Sequence, residues 1–257
     1  MSEFLSPAYL INLDRNPERL KTSGEALNSI GMKFQRFTGV DYREMDTQSM
    51  HSAVHTSPNA RIKRNLSPGE IACFLSHVEV WRTIAEGRAD MAWVFEDDIS
   101  FCENAREVML EIESGARNWD LVRLYSHKAL SLEQAKPLIA GYSIALSRKI
   151  PMSTIGYAIS RPAAEYLSKT MVPFSVPVDS ALKQWWVHGL CTRTVSPSLC
   201  EPRRDNATSS TLEGDRKSHK SRNPLDRFLS NLRYQIHLRH MRQSNAAIFP
   251  VERKFDW

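Results

Sequence analysis

The stretch AYLINLDRNPERLKTSGEALNSIGMKFQRF, residues 8–37, decides the fold class. It opens with Ala8-Tyr9-Leu10-Ile11-Asn12-Leu13, a short and nearly continuous apolar run, which is the pattern of a strand buried on both faces. Asp14-Arg15-Asn16-Pro17 reads as a turn and helix start. Asn16 is the candidate N-cap, and Pro17 falls at the first helical position, where its missing N–H costs nothing. The helix is predicted to run to about Ile30 and to stop at Gly31. Met32–Phe37 then alternates as a second strand. Strand, helix, strand in succession is the signature of a parallel sheet, so an α/β architecture is expected.

The same reading extends outward. Residues 43–65 are polar, with His51, His55, Pro58 and a basic Arg61–Arg64 stretch, and read as a loop. Ser67-Pro68-Gly69-Glu70 opens a helix, with Ser67 and Glu70 spaced as a capping box. Ile71, Phe74, Leu75, Val78 and Trp81 follow at helical spacing. Met91–Phe95 is a predicted strand, Ala105–Glu113 a helix and Asp120–Tyr125 another strand. Pro162–Lys169 is a helix after the small-residue segment Ser153–Ser160, and Val187–Val195 is the expected last strand. A polar stretch follows to about Arg222. Leu225–His240 reads as an amphipathic helix, with Leu225, Phe228, Leu229, Leu232 and Ile236 on one face.

The strand at 91–95 ends in Glu96-Asp97-Asp98. Three neighbouring carboxylates repel one another unless something positive stands among them. A hard divalent cation, Mg²⁺ or Mn²⁺, is the usual partner, and it commonly brings phosphate oxygens with it. The end of a strand in an open α/β sheet is also where ligands bind. The competing reading is a solvated acidic turn. Strand alternation puts Glu96 and Asp98 on one side and Asp97 on the other, which favours Asp98 as a direct ligand and Glu96 as ligand or orienter.

At 257 residues the chain can bury a proper core, and its apolar and charged fractions are those of an ordinary soluble protein. No apolar run approaches a membrane span of about 20 residues, and the N-terminal MSEFLSPAYLINLD lacks the pattern of a signal peptide. Cys73, Cys102, Cys191 and Cys200 form no CxxC pair, so reduced, cytoplasmic thiols are expected rather than disulfides or zinc ligation. The net charge is +5, and from Asp215 to Trp257 there are ten Lys/Arg against four Asp/Glu. That basic tail suggests a polyanionic partner: anionic lipid, a phosphorylated glycolipid or nucleic acid.

Several segments, taken in order, resemble glycosyltransferase family 25. They are Ile11-Asn12-Leu13-Asp14-Arg15 with Arg19, and Arg36-Phe37-Thr38-Gly39-Val40-Asp41. Leu66-Ser67-Pro68-Gly69-Glu70-Ile71-Ala72-Cys73-Phe74-Leu75-Ser76-His77 with Trp81 comes next, then Phe95-Glu96-Asp97-Asp98. Gly156-Tyr157-Ala158-Ile159-Ser160 and Pro177-Val178-Asp179 complete the set, which covers roughly residues 8–212. The family comprises bacterial lipopolysaccharide and lipooligosaccharide galactosyltransferases and collagen-modifying relatives. The resemblance implies a Rossmann-like fold of GT-A type with a mostly parallel sheet over residues 1–212, followed by a basic, partly helical extension over 213–257. It also implies that Glu96, Asp97 and Asp98 stand where such enzymes hold Mn²⁺ or Mg²⁺ against a UDP-sugar.

Asn12, Leu13, Asp14 and Arg15 sit where a first βα turn meets a nucleotide, and Arg15 or Arg19 offers a planar fork for phosphate; solvated arginines at a helix start are the alternative. Asp41 resembles the family's nucleotide-side acid. Ser76 and His77 are neighbours on one helix, so only one can point straight at a ligand. Glu70 is a capping residue first. Asp179 is the candidate base for an inverting transfer, or the N-cap of a helix over Ser180–Trp186. Tyr157, Trp185 and Trp186 would stack on sugars or simply fill the core.

The expected function is transfer of a hexose, galactose from UDP-galactose, onto a lipooligosaccharide acceptor with inversion. The setting would be the cytoplasm, with peripheral contact at an anionic inner-membrane surface. Another UDP-sugar or a protein-bound acceptor is the alternative within this class. A metal-dependent nucleic-acid-binding protein is the rival from another class, and no helix-turn-helix, zinc or RNA-binding signature supports it. For the 225–240 helix, docking on the enzyme's own core and lying on a membrane both stay open.

Overall fold

The computed structural model describes residues 3–54, 66–115, 117–147 and 149–203. The helix expected over 225–240, the 213–257 extension and the basic stretch at 61–64 lie outside the described residues. The opening β-α-β unit is present as read: β1 (Ala8–Asn12), α1 (Pro17–Ser29) and β2 (Gln35–Thr38), with Tyr9 of β1 opposite Gln35 of the parallel β2. Pro17 starts the helix, but the Asn16 side chain makes no capping bond. Gly31 follows with φ +69, a left-handed conformation that glycine adopts without strain and that ends the helix.

The remaining elements are α2 (Thr47–Ala53), α3 (Pro68–Glu86), β3 (Met91–Glu96), β4 (Ile99–Phe101), α4 (Ala105–Ser114) and β5 (Leu121–Arg123), followed by β6 (Leu132–Pro137), β7 (Ser143–Ser147) and β8 (Gly156–Ser160). The chain continues through α5 (Arg161–Thr170), α6 (Val178–Lys183), α7 (Trp185–His188), β9 (Thr192–Ser196) and β10 (Cys200–Pro202). The main sheet has the order β2-β1-β3-β8-β5-β9-β7-β6. Its pairings put β1, β2, β3, β5, β6 and β9 in one direction and β7 and β8 in the other. The α/β class and the predominance of one strand direction agree with the sequence reading. β4 and β10 form a separate antiparallel ribbon.

Both faces of the sheet are covered at its centre. Along β3, Met91, Trp93 and Phe95 enter one core with Leu27, Val108 and Met109 of α1 and α4. Ala92 and Val94 enter the other, with Phe74, Val78 and Trp81 of α3 and Leu167 of α5. A strand buried on both sides has no polar face, which is why its sequence is a continuous apolar run. The helix α3 is set by the expected capping box: the Glu70 amide donates to Ser67 Oγ, and the Ser67 amide donates to the Glu70 carboxylate at 3.0 Å.

Two expectations need correction, and two strands go beyond the sequence reading. The segment read as loop at 43–65 contains α2, capped by Asp46, whose carboxylate accepts from the Ser49 amide at 2.8 Å. It is short and mostly exposed, so no apolar period announces it. The strands β6 and β7 have no counterpart in the sequence reading. β6 is largely exposed, and its pairing register shifts between Glu133 and Lys136, so alternation is lost. The strand expected at 187–195 is instead the end of α7, a left-handed Gly189 and the later strand β9.

His188 ties α6 and α7 to β9. Its Nε2–H donates to the Leu182 carbonyl at 3.2 Å, and the Leu190 amide donates to Nδ1 at 3.1 Å, which fixes the neutral ring. Burial pushes the imidazole pKa down to about 4. The unfolded chain takes up this proton near pH 6.5, and the folded chain only near 4. Stability is therefore fully present above 6.5 and is lost as pH falls towards 4, by roughly 3 kcal/mol from this group. Urea unfolding at pH 7 and pH 4.5 should show that loss, and His188→Gln should flatten the pH dependence.

Candidate active site

β1 and β3 point the same way, so their C-terminal ends open side by side. Between them and α3 lies an open cleft lobe. Asn12, Leu13, Arg15 and Arg19 line it from the first βα turn, Ser76 and His77 from α3, and Glu96, Asp97 and Asp98 from β3. Gly69, Ala72, Cys73, Ser76 and His77 recur at helical spacing, so α3 presents one face to it. A second open lobe lies beyond the acids and is lined by Thr154, His127 and Asp179. Cys73, Glu96 and Asp98 line both lobes.

The three acids have different sets of partners, with Arg19 shared by two of them. Glu96 Oε1 lies 3.2 Å from His77 Nε2 and accepts from the Thr154 hydroxyl. Asp97 accepts from Asn12 Nδ2 at 2.6 Å and pairs with Arg19 at 2.8 Å. Asp98 pairs with the same guanidinium at 3.3 Å, and its Oδ1 is buried with no hydrogen-bond partner among the described residues. The positive charge that the sequence demanded is thus supplied, in this state, by Arg19 of α1.

Glu96 is held by a buried relay. Trp81 Nε1–H donates to the Tyr157 hydroxyl at 2.9 Å, and indole nitrogen can only donate. The Tyr157 hydrogen is then left for His77 Nδ1, also at 2.9 Å, which puts the ring hydrogen on Nε2, facing Glu96. Burial keeps the Tyr157 phenol far above its ordinary pKa, so it remains a donor. Burial would raise Glu96 too, but the bonds from His77 and Thr154 prevail and hold it below its ordinary value. Asp97 is raised, chiefly by burial. Asp98 is pushed up to about 6 by burial and by the neighbouring Glu96 and Asp97 charges, against the opposing pull of Arg19.

Residues 5–182 match the model of glycosyltransferase family 25, described as LPS biosynthesis protein. The chain belongs to glycosyltransferase family 25. A Drosophila melanogaster glycosyltransferase 25 family member is 31% identical over 192 residues, covering 69% of this chain and 30% of that one. A Haemophilus influenzae protein named as a glycosyltransferase is 27% identical over 198 residues, covering 75% and 68%. Procollagen galactosyltransferase 1-A of Xenopus laevis is 26% identical over 183 residues, covering 68% and 30%. The match thus spans under a third of the two animal proteins.

Most of the expected site residues line the cleft; Asp14 on the first turn and Asp41 after β2 do not. The Asp14 side chain is 73% exposed and paired with Arg36, outside the lining. Asp41 holds Arg15, whose guanidinium also lies 5.6 Å from the centre of the Tyr42 ring. Ser76 Oγ accepts from the Val40 amide and donates to the Ala72 carbonyl, both at 2.8 Å, so it anchors the loop after β2. Asp179 sits within the first turn of α6 rather than at its N-cap, which is Pro177, and its carboxylate accepts from the Ser180 amide at 2.6 Å. Tyr157 is core, as one of its two readings had it.

Sequence reasoning missed Thr154 and Arg123. The first is a loop residue with no pattern around it. Arg123 ends β5, fully buried, with burial drawing its pKa down to about 10. Its Nη1 donates to the Ser153 carbonyl at 2.7 Å, which secures the loop carrying Thr154 to Glu96. A charged residue closing a short apolar run beneath a small-residue segment was the only signal.

Asp98 gives a pH-linked test. Its unfolded pKa is near 3.8 and its folded pKa about 6, so the folded chain retains a proton through that window. Stability contributed by this group falls as pH rises from 4 to 6, and at neutral pH its buried charge is a net cost. Asp98→Asn should therefore melt above wild type at pH 7.5, with the gap closing by pH 4. Scanning fluorimetry across that range checks it; equal melting at neutral pH would count against a strained carboxylate.

Proposed function

We propose that the protein is a GT-A type, inverting hexosyltransferase that moves galactose from UDP-galactose to a lipooligosaccharide acceptor. The observation that carries this reading is the two-lobed cleft meeting at Glu96 and Asp98. A group transfer between two substrates needs a donor space and an acceptor space with the reacting centre between them. The first lobe has the arginines suited to a diphosphate, and the second has a carboxylate, Asp179, suited to an acceptor hydroxyl. Galactose is supported by the procollagen galactosyltransferase relative, and the lipopolysaccharide acceptor by the family description. The same relative supports a protein-bound acceptor as a second reading.

In this mechanism Arg15 and Arg19 bind the diphosphate, whose negative charge grows as the bond from the anomeric carbon breaks. Arg19 would turn from the acids to the phosphates, which leaves Asp97 and Asp98 in need of a new cation. The residues fit one: Asp98 offers a hard oxygen that is buried and unpartnered. Asp98, with Asp97 or Glu96, would hold Mn²⁺ or Mg²⁺, which supplies Lewis-acid stabilisation of the leaving diphosphate. Asp179 takes the proton from the acceptor hydroxyl as that oxygen attacks the opposite face of the anomeric carbon. The His77 and Thr154 bonds keep Glu96 ionised and aimed at the shared edge.

Among the described residues, no helix is long and apolar enough to cross a membrane. Peripheral contact through the basic segment 213–257, at the cytoplasmic side of an anionic membrane, belongs to this proposal.

A panel of UDP-sugars tested for turnover with Mn²⁺ should single out UDP-galactose; turnover of none of them sinks the reading. Asp98→Asn should lower the rate roughly a hundredfold or more. Asp179→Asn should lower turnover by a similar factor while UDP binding by calorimetry stays near wild type. A collapse of UDP binding in that variant would move Asp179 to the donor side.

A further inference from the structure

Cys73 and His77 are four residues apart on α3 and face the same edge of the cleft as Glu96 at the end of β3. One ligand atom from each, the thiol sulfur, an imidazole nitrogen and a carboxylate oxygen, lie within 4.8 Å of one another. We propose that these three side chains form a binding site for Zn²⁺, separate in chemistry from the hard-cation position at Asp98.

The geometry is close to what zinc needs. With bond lengths of about 2.0 Å to nitrogen and oxygen and about 2.3 Å to sulfur, tetrahedral coordination sets the ligand atoms about 3.3 to 3.6 Å apart. His77 Nε2 and Glu96 Oε1 already stand at 3.2 Å. Closing the set asks the Cys73 sulfur to move nearer the other two ligand atoms by a turn about χ1, which carries a modest rotamer cost. Thiolate and imidazole favour Zn²⁺ over Mg²⁺ or Mn²⁺, whereas Asp98 offers only oxygen. The outer contacts suit a bound histidine as well. When Nε2 takes the metal, its hydrogen passes to Nδ1 and the Tyr157 oxygen at 2.9 Å accepts it, so the phenol hydrogen turns away from His77. Binding also releases the Cys73 thiol proton to solvent, so affinity rises with pH.

Three protein ligands leave a fourth position. Cys73 and Glu96 border both lobes, so that position opens on the edge the lobes share. A zinc ion there draws Glu96 away from Thr154 and occupies space at the reacting centre. The site therefore acts as a block on the cleft. It stands on ligand geometry alone, and its test does not depend on the sugar-transfer reading.

The test uses metal-stripped, full-length protein titrated with Co²⁺ as a spectroscopic substitute for zinc. A sulfur-to-cobalt charge-transfer band in the near ultraviolet should appear, saturate at one equivalent and vanish on adding Zn²⁺. Cys73→Ser should abolish the band and weaken Zn²⁺ binding, measured by calorimetry, by about a hundredfold or more. Glu96→Gln should weaken Zn²⁺ binding yet keep the band, because the thiolate remains. Asp98→Asn should change neither. Circular dichroism melts confirm that each variant is folded. Absence of the band, its survival in Cys73→Ser, or equal Zn²⁺ affinity in wild type and both ligand variants overturns the proposal.

Discussion

Three consecutive carboxylates at the end of a buried strand are the constraint around which the cleft is arranged. Two like charges about 4 Å apart repel by roughly 4 kcal/mol at the dielectric typical near a protein surface. Glu96 ends β3 and Asp97 and Asp98 form the turn after it, so partners from elsewhere in the chain must offset that repulsion. The structure relieves it by bringing partners from several elements: α3 and the loop before β8 for Glu96, and Arg19 of α1 shared by Asp97 and Asp98, with Asn12 of β1 added for Asp97. Asp98 is served least, and its raised pKa and unpartnered oxygen are the residue of that imbalance. A site that is only partly compensated by the protein is one that a ligand or cation can complete.

The reversed strand β8 makes the second lobe possible. In a wholly parallel sheet the loop entering a strand lies at the far end from the ligand side. Because β8 runs against β3 and β5, its entering loop, with Ser153 and Thr154, arrives at the C-terminal ends of β1 and β3. Arg123 secures that loop from the neighbouring β5, at the cost of a fully buried guanidinium with Nε and Nη2 unpaired among the described residues. Such a charge is tolerated where it positions something else. What it positions here is the loop that holds Glu96.

The relay from Trp81 through Tyr157 and His77 joins the core to the site. Its first member is a core indole and its last is a cleft carboxylate, so packing around α3 and β8 transmits directly to the orientation of Glu96. A rigid, buried support is what holds a catalytic or metal-binding group to within a fraction of an ångström. It also explains why Tyr157 is buried in the core while His77 keeps one ring nitrogen on Tyr157 and the other on Glu96 at the cleft.

By itself the sequence determined the elements whose signals are local. The β-α-β opening, the capping box at Ser67 and Glu70, and the apolar run into Glu96-Asp97-Asp98 were legible because burial on both faces and helix capping write themselves into neighbouring residues. The ordered motifs likewise carried the family. Only the tertiary structure decided which partner each acid has, that Asp14 faces solvent while Arg19 reaches the acids, and that Cys73 stands beside His77 and Glu96. The exposed strand β6 and the short helix α2 also stayed hidden, since neither buries a periodic face. The physical reason is the same throughout. A contact between residues distant in the chain leaves no period or spacing in the sequence, and the electrostatics of a carboxylate are set by what the fold brings within a few ångströms of it.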